Sequence, residues 1–497
     1  DHILLPHNLG NISLTHIFGP HFVNTDFGPH FVNTHFGSYF VNTDFGPHSA
    51  NTHLIFLFSD THVLIALNTC IMKSKPFPIK QGLPCQLKWN HSTVFLTMAT
   101  TASCHRVTHD PYNTSDGKIE FHNIKTKLEA REKMLQGKWP GRGCEHCKST
   151  EEAGGHSDRM SHLNMHGVTA PKELEQDPSA VNVTPTQLEI YFGNTCNLKC
   201  VYCNSKFSST IDNENRVHGQ FDYGFENNQG APVRIFGKIK VNPNIQEDTN
   251  KLFVWLDQHI HELNKLMILG GEPFLQKETE RMVELLERTS NPNLTLVIFS
   301  NLTVDPARVQ KWLARMWKLV EQGKLYNLQV VGSLDCWGPQ AEYVRSGLDL
   351  KKYTENFEFI LNKTKITPSI NSALMALTIP TLPDLITRMN NWSKIRQVYW
   401  SGMKAGDHMR PYLNPTIFGK DIVPLGLEQA VNIFETNGDT IKESQLNNLI
   451  GIKTECENTA PNKWDQKMLK GYLEELDRRR NSDFKKLFPE IARLLEA

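Results

Sequence analysis

The stretch Leu188-Glu-Ile-Tyr-Phe-Gly-Asn-Thr-Cys196-Asn-Leu-Lys-Cys200-Val-Tyr-Cys203 decides how the remaining sequence is read. Its first six residues, Leu188 to Gly193, alternate as a half-buried strand does, and the cysteines follow on the loop leaving that strand. Thiolates are soft ligands that favour zinc or iron–sulfur clusters. Three cysteines within eight residues can converge on one small object. A [4Fe–4S] cube held by three thiolates keeps one iron open for a substrate or cofactor, whereas a structural zinc closes with four ligands. A zinc knuckle is the competing reading of the triad alone.

Three later strand patterns end in residues suited to a bound small molecule. Leu269-Gly270-Gly271-Glu272-Pro273 lies about seventy residues after the triad. Its glycines allow close backbone approach to a ligand, and Glu272 offers an anionic acceptor for an ammonium group. The next pattern ends at Phe299-Ser300-Asn301, and the one after at Gly332-Ser333-Leu-Asp335, with Arg345 twelve residues beyond Ser333. A planar guanidinium suits bidentate carboxylate recognition. Asp335 suits a substrate contact or a helix cap.

The CxxxCxxC spacing with Tyr202 before its last cysteine, followed by Gly270-Gly-Glu-Pro273, resembles the radical S-adenosylmethionine (SAM) superfamily over roughly residues 80–405. The resemblance implies that Cys196, Cys200 and Cys203 hold a [4Fe–4S] cluster whose open iron chelates the amino and carboxylate groups of SAM. One electron then cleaves SAM to a 5′-deoxyadenosyl radical that abstracts a hydrogen atom. It further implies a cofactor site built from Tyr202, Gly270, Gly271, Glu272, Pro273, Ser300, Asn301, Ser333 and Arg345. In that site Glu272 and its glycines engage the SAM amino group, Ser333 the ribose and Arg345 the carboxylate. Where the family carries Thr-Asn-Gly, this chain has Ser300-Asn301-Leu302 and lacks the glycine. No general acid or base stands out.

A second cysteine set, Cys85, Cys104, Cys144 and Cys147, satisfies a closed cluster or a structural zinc. Leu83-Pro-Cys85 with Trp89-Asn-His91 and Cys104, then Cys144-x2-Cys147-x3-Glu151-x2-Gly154-x2-Ser157-x-Arg159, resembles the auxiliary-cluster region of twitch/SPASM-type radical SAM proteins. The resemblance implies a second Fe–S cluster that relays an electron or anchors substrate. Relatives often show a double cysteine where this chain has Cys104-His105, which makes His105 a substitute ligand. His91 and His146 read as supporting or surface residues.

Around these motifs the sequence alternates strand patterns (188–193, 265–270, 294–300, 328–334, 369–377, 397–401) with helical ones (249–264, 276–290, 305–322, 350–363, 383–394). Such alternation predicts an α/β fold with a parallel sheet and crossover helices. Six units match the partial (β/α)6 TIM-like barrel of the family, with chemistry at the carboxyl ends of the strands. Four regions follow: a low-complexity segment over 1–71, an auxiliary-cluster region over 72–170, a core domain over 171–405 that begins with a linker at 171–187, and a helical C-terminal extension over 406–497. The polar excursion 204–248 reads as a lid or substrate-binding loop, and Gly402 to Pro415, with Arg410 and Tyr412, as a segment closing the barrel. Asn481-Ser-Asp483 reads as a cap between two C-terminal helices with a packing role. Cys70, Cys336 and Cys456 read as isolated structural thiols, and Trp337, Tyr399 and Trp400 as core aromatics.

Residues 1–71 contain no Lys or Arg and repeat a nine-residue unit beginning Phe18-Gly-Pro-His-Phe-Val-Asn-Thr-Asp26. That unit offers little core, and the segment reads as a translated simple repeat upstream of a start at Met72. Across 497 residues the formal charge is balanced, with 53 basic and 53 acidic side chains. That balance argues against a global field for nucleic acid or a membrane surface. The absence of a clean apolar run of eighteen residues argues against a membrane span. Ten cysteines in clusters read as metal binding in a reducing, cytoplasmic setting. The sequence therefore predicts a cytoplasmic radical SAM enzyme that modifies a peptide or protein and draws electrons from a partner such as flavodoxin or ferredoxin. The alternatives are modification of a nucleotide, RNA or small metabolite, which no basic aromatic stripe supports for RNA, and a non-enzymatic zinc-binding scaffold.

Overall fold

The computed structural model describes residues 3–5, 39–43, 52–59, 62–69, 77–163, 169–226, 232–235, 241–404, 410–436 and 443–496. Most of the nine-residue repeat, Cys70 and residues 405–409 lie outside them. The chain divides into two compact units. In the first, made of residues 1–76 with 166–168, four backbone segments pair as an antiparallel sheet in the order Ile3–Leu5, His62–Thr69, Thr52–Ser59, Tyr39–Thr43.

The second unit, residues 77–165 and 169–497, is built on one nine-stranded sheet. Its strands are β1 (His91–Phe95), β2 (Thr100–Ala102), β3 (Asp110–Pro111), β4 (Gln187–Tyr191), β5 (Lys265–Leu269), β6 (Asn291–Ser300), β7 (Leu325–Ser333), β8 (Thr367–Leu374) and β9 (Tyr399–Lys404). From β9 through β8, β7, β6, β5 and β4 to β1 every pairing is parallel, and β2 and β3 continue the β1 edge antiparallel. Strands β4 to β9 stand side by side in sequence order, as crossover helices demand.

The excursion 204–248 holds a helix that the periodicity does not place, α1 (Ser209–His218). Five others fall within a few residues of their periodic patterns: α2 (Ile245–His259), α3 (Lys277–Arg288), α4 (Pro306–Glu321), α5 (Leu350–Lys363) and α6 (Leu382–Ser393). Their starts are chemically marked: Asp305, ahead of Pro306, accepts from the Arg308 N–H, and Asp349 from the Lys352 N–H. On the face beneath the helices, Leu188 and Ile190, Leu266 and Ile268, Leu296 and Ile298, and Leu328 and Val330 are at most 1% exposed and form the main core. The opposite face carries half-buried Glu189, Tyr191, Met267, Gln329 and Asn371. Two neutral polar rungs cross it, Asn327 Nδ2 to Thr367 Oγ1 at 3.3 Å and Gln329 Nε2 to Ser369 Oγ at 2.9 Å.

Sequence periodicity gave no sign that His91–Phe95 runs inside the main sheet, with Phe95 opposite Tyr191. Residues 171–187 are tied down rather than loose: Leu174 and Val183 are buried, and Trp89 Nε1 donates to the Ala180 carbonyl at 2.8 Å. The excursion 204–248 contains α1 and a strand pair, Phe221–Glu226 with Pro232–Ile235. At the carboxyl end, α7 (Lys463–Arg480) stops at left-handed Asn481, and Asp483 caps the next turn through the Lys486 N–H. No helix of the described residues is long and apolar enough to cross a membrane.

Candidate functional site

The triad loop leaves the carboxyl end of β4 and is anchored on three sides. Lys199 and Cys200 pair antiparallel with Ser346 and Arg345, and the Val201 N–H donates to the Val344 carbonyl at 2.8 Å. Beneath it lies the turn after β5. Gly270 and Gly271 both adopt positive φ (79° and 56°), and a Cβ on Gly271 would strike the Thr195 backbone. The Glu272 N–H then donates to the Thr195 carbonyl at 2.8 Å. The physical need for glycine here is thus the close passage of the triad loop over the β5 turn.

Glu272 is fully buried. Its Oε1 accepts from Ser300 Oγ (2.8 Å) and the Phe274 N–H (3.1 Å), and its Oε2 from the Asn301 N–H (2.8 Å). Burial holds this carboxyl up at about 7, against the pull of those donors. The carboxylate therefore laces the carboxyl ends of β5 and β6 together. Asn301 Nδ2 donates to Asn197 Oδ1 at 2.8 Å and lies 4.0 Å from Cys196 Sγ, which also receives the Leu198 N–H at 3.4 Å. Leu302, in the slot where the resembled motif has glycine, adopts φ 52° and is fully buried. The left-handed turn is kept without glycine, held by Asn356 Nδ2 on the Leu302 and Val304 carbonyls.

Ser333 ends β7 half-buried, with no partner for its hydroxyl among the described residues. Arg345 is 5% exposed and meets Asp335, which is 1% exposed. Its Nη2 donates to Asp335 Oδ1 at 2.9 Å, and its Nε approaches Oδ2 at 2.8 Å as an ion contact without hydrogen-bond alignment. The guanidinium sits 5.4 Å from the Tyr202 ring centroid. Asp335 also accepts from the Ala373 N–H at 2.8 Å, so it joins β7, β8 and the Arg345 turn and caps no helix.

All three triad thiols are free and held above their ordinary range by burial. Cys203 is pushed up to about 12, with Cys200 adding to the rise while Arg410 and Arg345 oppose it. Among the described residues no group of three or more His, Cys, Asp or Glu side chains is already arranged to hold a metal ion. The donor chemistry still suits a thiolate-bound group. The three thiols share one short loop, Cys196 feels both others, and the Arg345 and Arg480 charges favour the Cys200 thiolate.

The second cysteine set sits on separate elements, near enough for charge on one thiol to act on the next though not already arranged to hold a metal ion. Cys85 feels Cys104 and Cys144, and Cys144 feels Cys104 and Cys147. Burial pushes Cys85 up to about 12, with Lys88 opposing. The polar residues of the Cys144 motif serve this convergence: Arg159 grips Glu151 through Nε (2.9 Å) and Nη2 (2.6 Å), and its Nη1 donates to the carbonyl of Pro84, beside Cys85. His105 is exposed and turned toward Asp158 at 3.8 Å, while His91 contacts the Ser103 carbonyl (2.9 Å) and Glu189 (3.4 Å). His146 is exposed. Phe95, Tyr191 and Phe207 pack in one cluster with Cys104 and Cys144, with Phe95 stacked on Tyr191 at 4.6 Å. Cys336 and Cys456 are fully buried, Trp400 is core, and Trp337 packs edge-on against Trp392.

Sequence reasoning named Arg410 only within a barrel-closing segment and missed Tyr472 and Arg480, which with it hold the triad loop from outside. Arg410 donates to the Val201 and Cys203 carbonyls, Tyr472 donates to the Val201 carbonyl, and Arg480 pairs with Glu214, which also binds Lys199. Their sequence signal is only Arg and Tyr within an amphipathic helix and a loop, which packing explains equally well. In comparison with known proteins, the chain matches no family model and no curated protein.

Proposed function

We propose that this chain is a radical SAM enzyme whose [4Fe–4S] cluster is held by Cys196, Cys200 and Cys203. The observation that carries this reading is convergence: the triad loop, Gly270–Pro273, Ser300–Asn301, Ser333 and Arg345 all meet at the carboxyl ends of consecutive parallel strands. Strand ends of this kind are where α/β enzymes place chemistry. On this reading β4 to β9 form the family's partial (β/α)6 barrel, and the half-buried polar face of the sheet is its interior.

When bound, the cluster would supply the electron that cleaves SAM to a 5′-deoxyadenosyl radical. This chain's residues do the rest. Gly270 and Gly271 present backbone groups beside the triad, Ser333 offers a hydroxyl without an internal partner, and half-buried Tyr202 with buried Arg345 shields the loop from water. Cys85, Cys104, Cys144 and Cys147 would hold the second cluster, with Phe95 and Tyr191 packed alongside Cys104 and Cys144. The neutral amide and hydroxyl rungs of the interior suit a peptide or protein substrate better than a polyanionic one. The electron donor would be a small redox protein of the flavodoxin or ferredoxin kind, in the cytoplasm.

One observation favours the non-enzymatic metal scaffold instead: both oxygens of Glu272 are already taken up by internal donors, and Arg345 is already paired with Asp335. Anaerobic reconstitution of the chain separates the two. About eight irons per chain, with 5′-deoxyadenosine released after dithionite reduction, supports the enzyme. Zinc alone, colourless and without SAM cleavage, supports the scaffold.

A further inference from the structure

The C-terminal extension does more than cover the barrel. Arg410 is 4% exposed and spans two carbonyls of the triad loop: Nη1 donates to that of Val201 and Nη2 to that of Cys203, the latter at 2.6 Å. Its Nη1 also reaches Tyr472 Oη at 2.7 Å, and its guanidinium lies 5.2 Å from the Tyr472 ring centroid. Tyr472, 2% exposed on α7, donates to the same Val201 carbonyl at 2.6 Å. Cys200, Cys203, Arg410, Tyr472 and Arg480 share the walls of one small cleft of about 220 Å³. The guanidinium therefore stands buried against the outer side of the triad loop, where a charge is weakly screened.

We propose that Arg410 is a positioning residue whose charge, held on two carbonyls of the triad loop, sets the reduction potential of the group bound by the triad. This rests on the cluster assignment above. One-electron reduction adds a single negative charge to the bound group, with dithionite as the electron source and no bond broken or proton taken up in that step. A buried cation beside Cys203 stabilises the more negative state and so raises the potential. Tyr472 contributes no charge; its two hydrogen bonds hold the guanidinium and the Val201 carbonyl in register.

The test is a redox titration, followed by electron paramagnetic resonance, of the anaerobically reconstituted full chain and of Arg410→Gln, Arg410→Lys and Tyr472→Phe. Arg410→Gln should retain iron and lose at least tenfold in the reduction equilibrium, about 59 mV for a one-electron couple. Arg410→Lys and Tyr472→Phe, which keep the charge, should stay close to the unaltered chain. An unchanged potential in Arg410→Gln, or an equal fall in all three variants, overturns the proposal. If Arg410→Gln does not fold, Arg410→Lys decides: a tenfold loss there overturns it, and an unchanged potential supports it. Failure of the unaltered chain to take up iron would instead remove the cluster assignment, an outcome separate from any difference among the variants.

Discussion

Cys200 and Arg345 share one rung of a two-strand pairing, so the central thiol of the triad and the guanidinium held by Asp335 leave the same short backbone ladder. The Asp335–Arg345 pair is thus a foundation of the triad loop. Asp335→Asn leaves Arg345 as a buried, uncompensated cation, which costs about 3–5 kcal/mol. Urea unfolding should show that loss, together with reduced iron uptake. Arg345→Met with Asp335→Asn should recover most of the stability, because removing both charges avoids the uncompensated one. Recovery of stability without recovery of SAM cleavage would also mark Arg345 as needed beyond its packing.

Gly271→Ala should be far worse than an ordinary glycine substitution. Gly323 offers the control, with φ 67° and nothing within 4 Å of an added Cβ. Gly323→Ala should cost about 1 kcal/mol from its backbone conformation alone. Gly271→Ala adds a collision with the Thr195 backbone and must push the cysteine loop away. Thermal melts and iron counts on the two variants check this. Equal losses would show that the loop yields without cost.

Glu272 gives the fold a pH signature. Its folded-state value of about 7 lies above the ordinary 4.5, so between those values the folded chain keeps a proton that the unfolded chain has released. Stability from this group is therefore present below about pH 4.5 and falls as pH rises to about 7, by about 3 kcal/mol in all. In Glu272→Gln that slope disappears, although the variant starts lower because its amide N–H₂ meets the Asn301 N–H. Unfolding free energies measured from pH 5 to pH 8 in both proteins would show it, and parallel curves would exclude it.

Arg159 should matter to the second cysteine set without being a ligand. Arg159→Gln frees Glu151 and the Pro84 carbonyl, so Cys85 loses its tie to the Cys144–Cys147 segment. Reconstituted iron should fall from about eight toward about four per chain, with the triad cluster spared. Cys85→Ser should do the same. Iron lost equally from both clusters would mean the two sets fold as one.

Much of this architecture is legible in the sequence because its signals are local. Six strands and five helices fall within a few residues of their periodic patterns, since one face of each element alternates or recurs toward a single core. The motifs at strand ends are legible because glycine pairs and cysteine spacing act over a few residues. The rest depends on long-range pairing. Asp335 reads equally as a cap or a substrate contact, and only the return of the chain at Arg345 makes it half of an ion pair. Glu272 reads as a ligand acceptor, while Ser300 and Asn301 fill both its oxygens. The strand His91–Phe95 is short and its partner β4 lies about a hundred residues away, so nothing nearby in sequence announces it.

The grip of Tyr472 on Val201 also has a consequence for timing. The tyrosine is synthesised 271 residues after the carbonyl it holds, an interval on the order of tens of seconds on the ribosome. For most of that interval the three thiols precede Arg410, and for all of it they lack the completed α7 to close over them. The clasp therefore belongs to the finished polypeptide, and a chain cut short before Tyr472 would carry every cysteine of the triad yet lack the contact that shapes its loop.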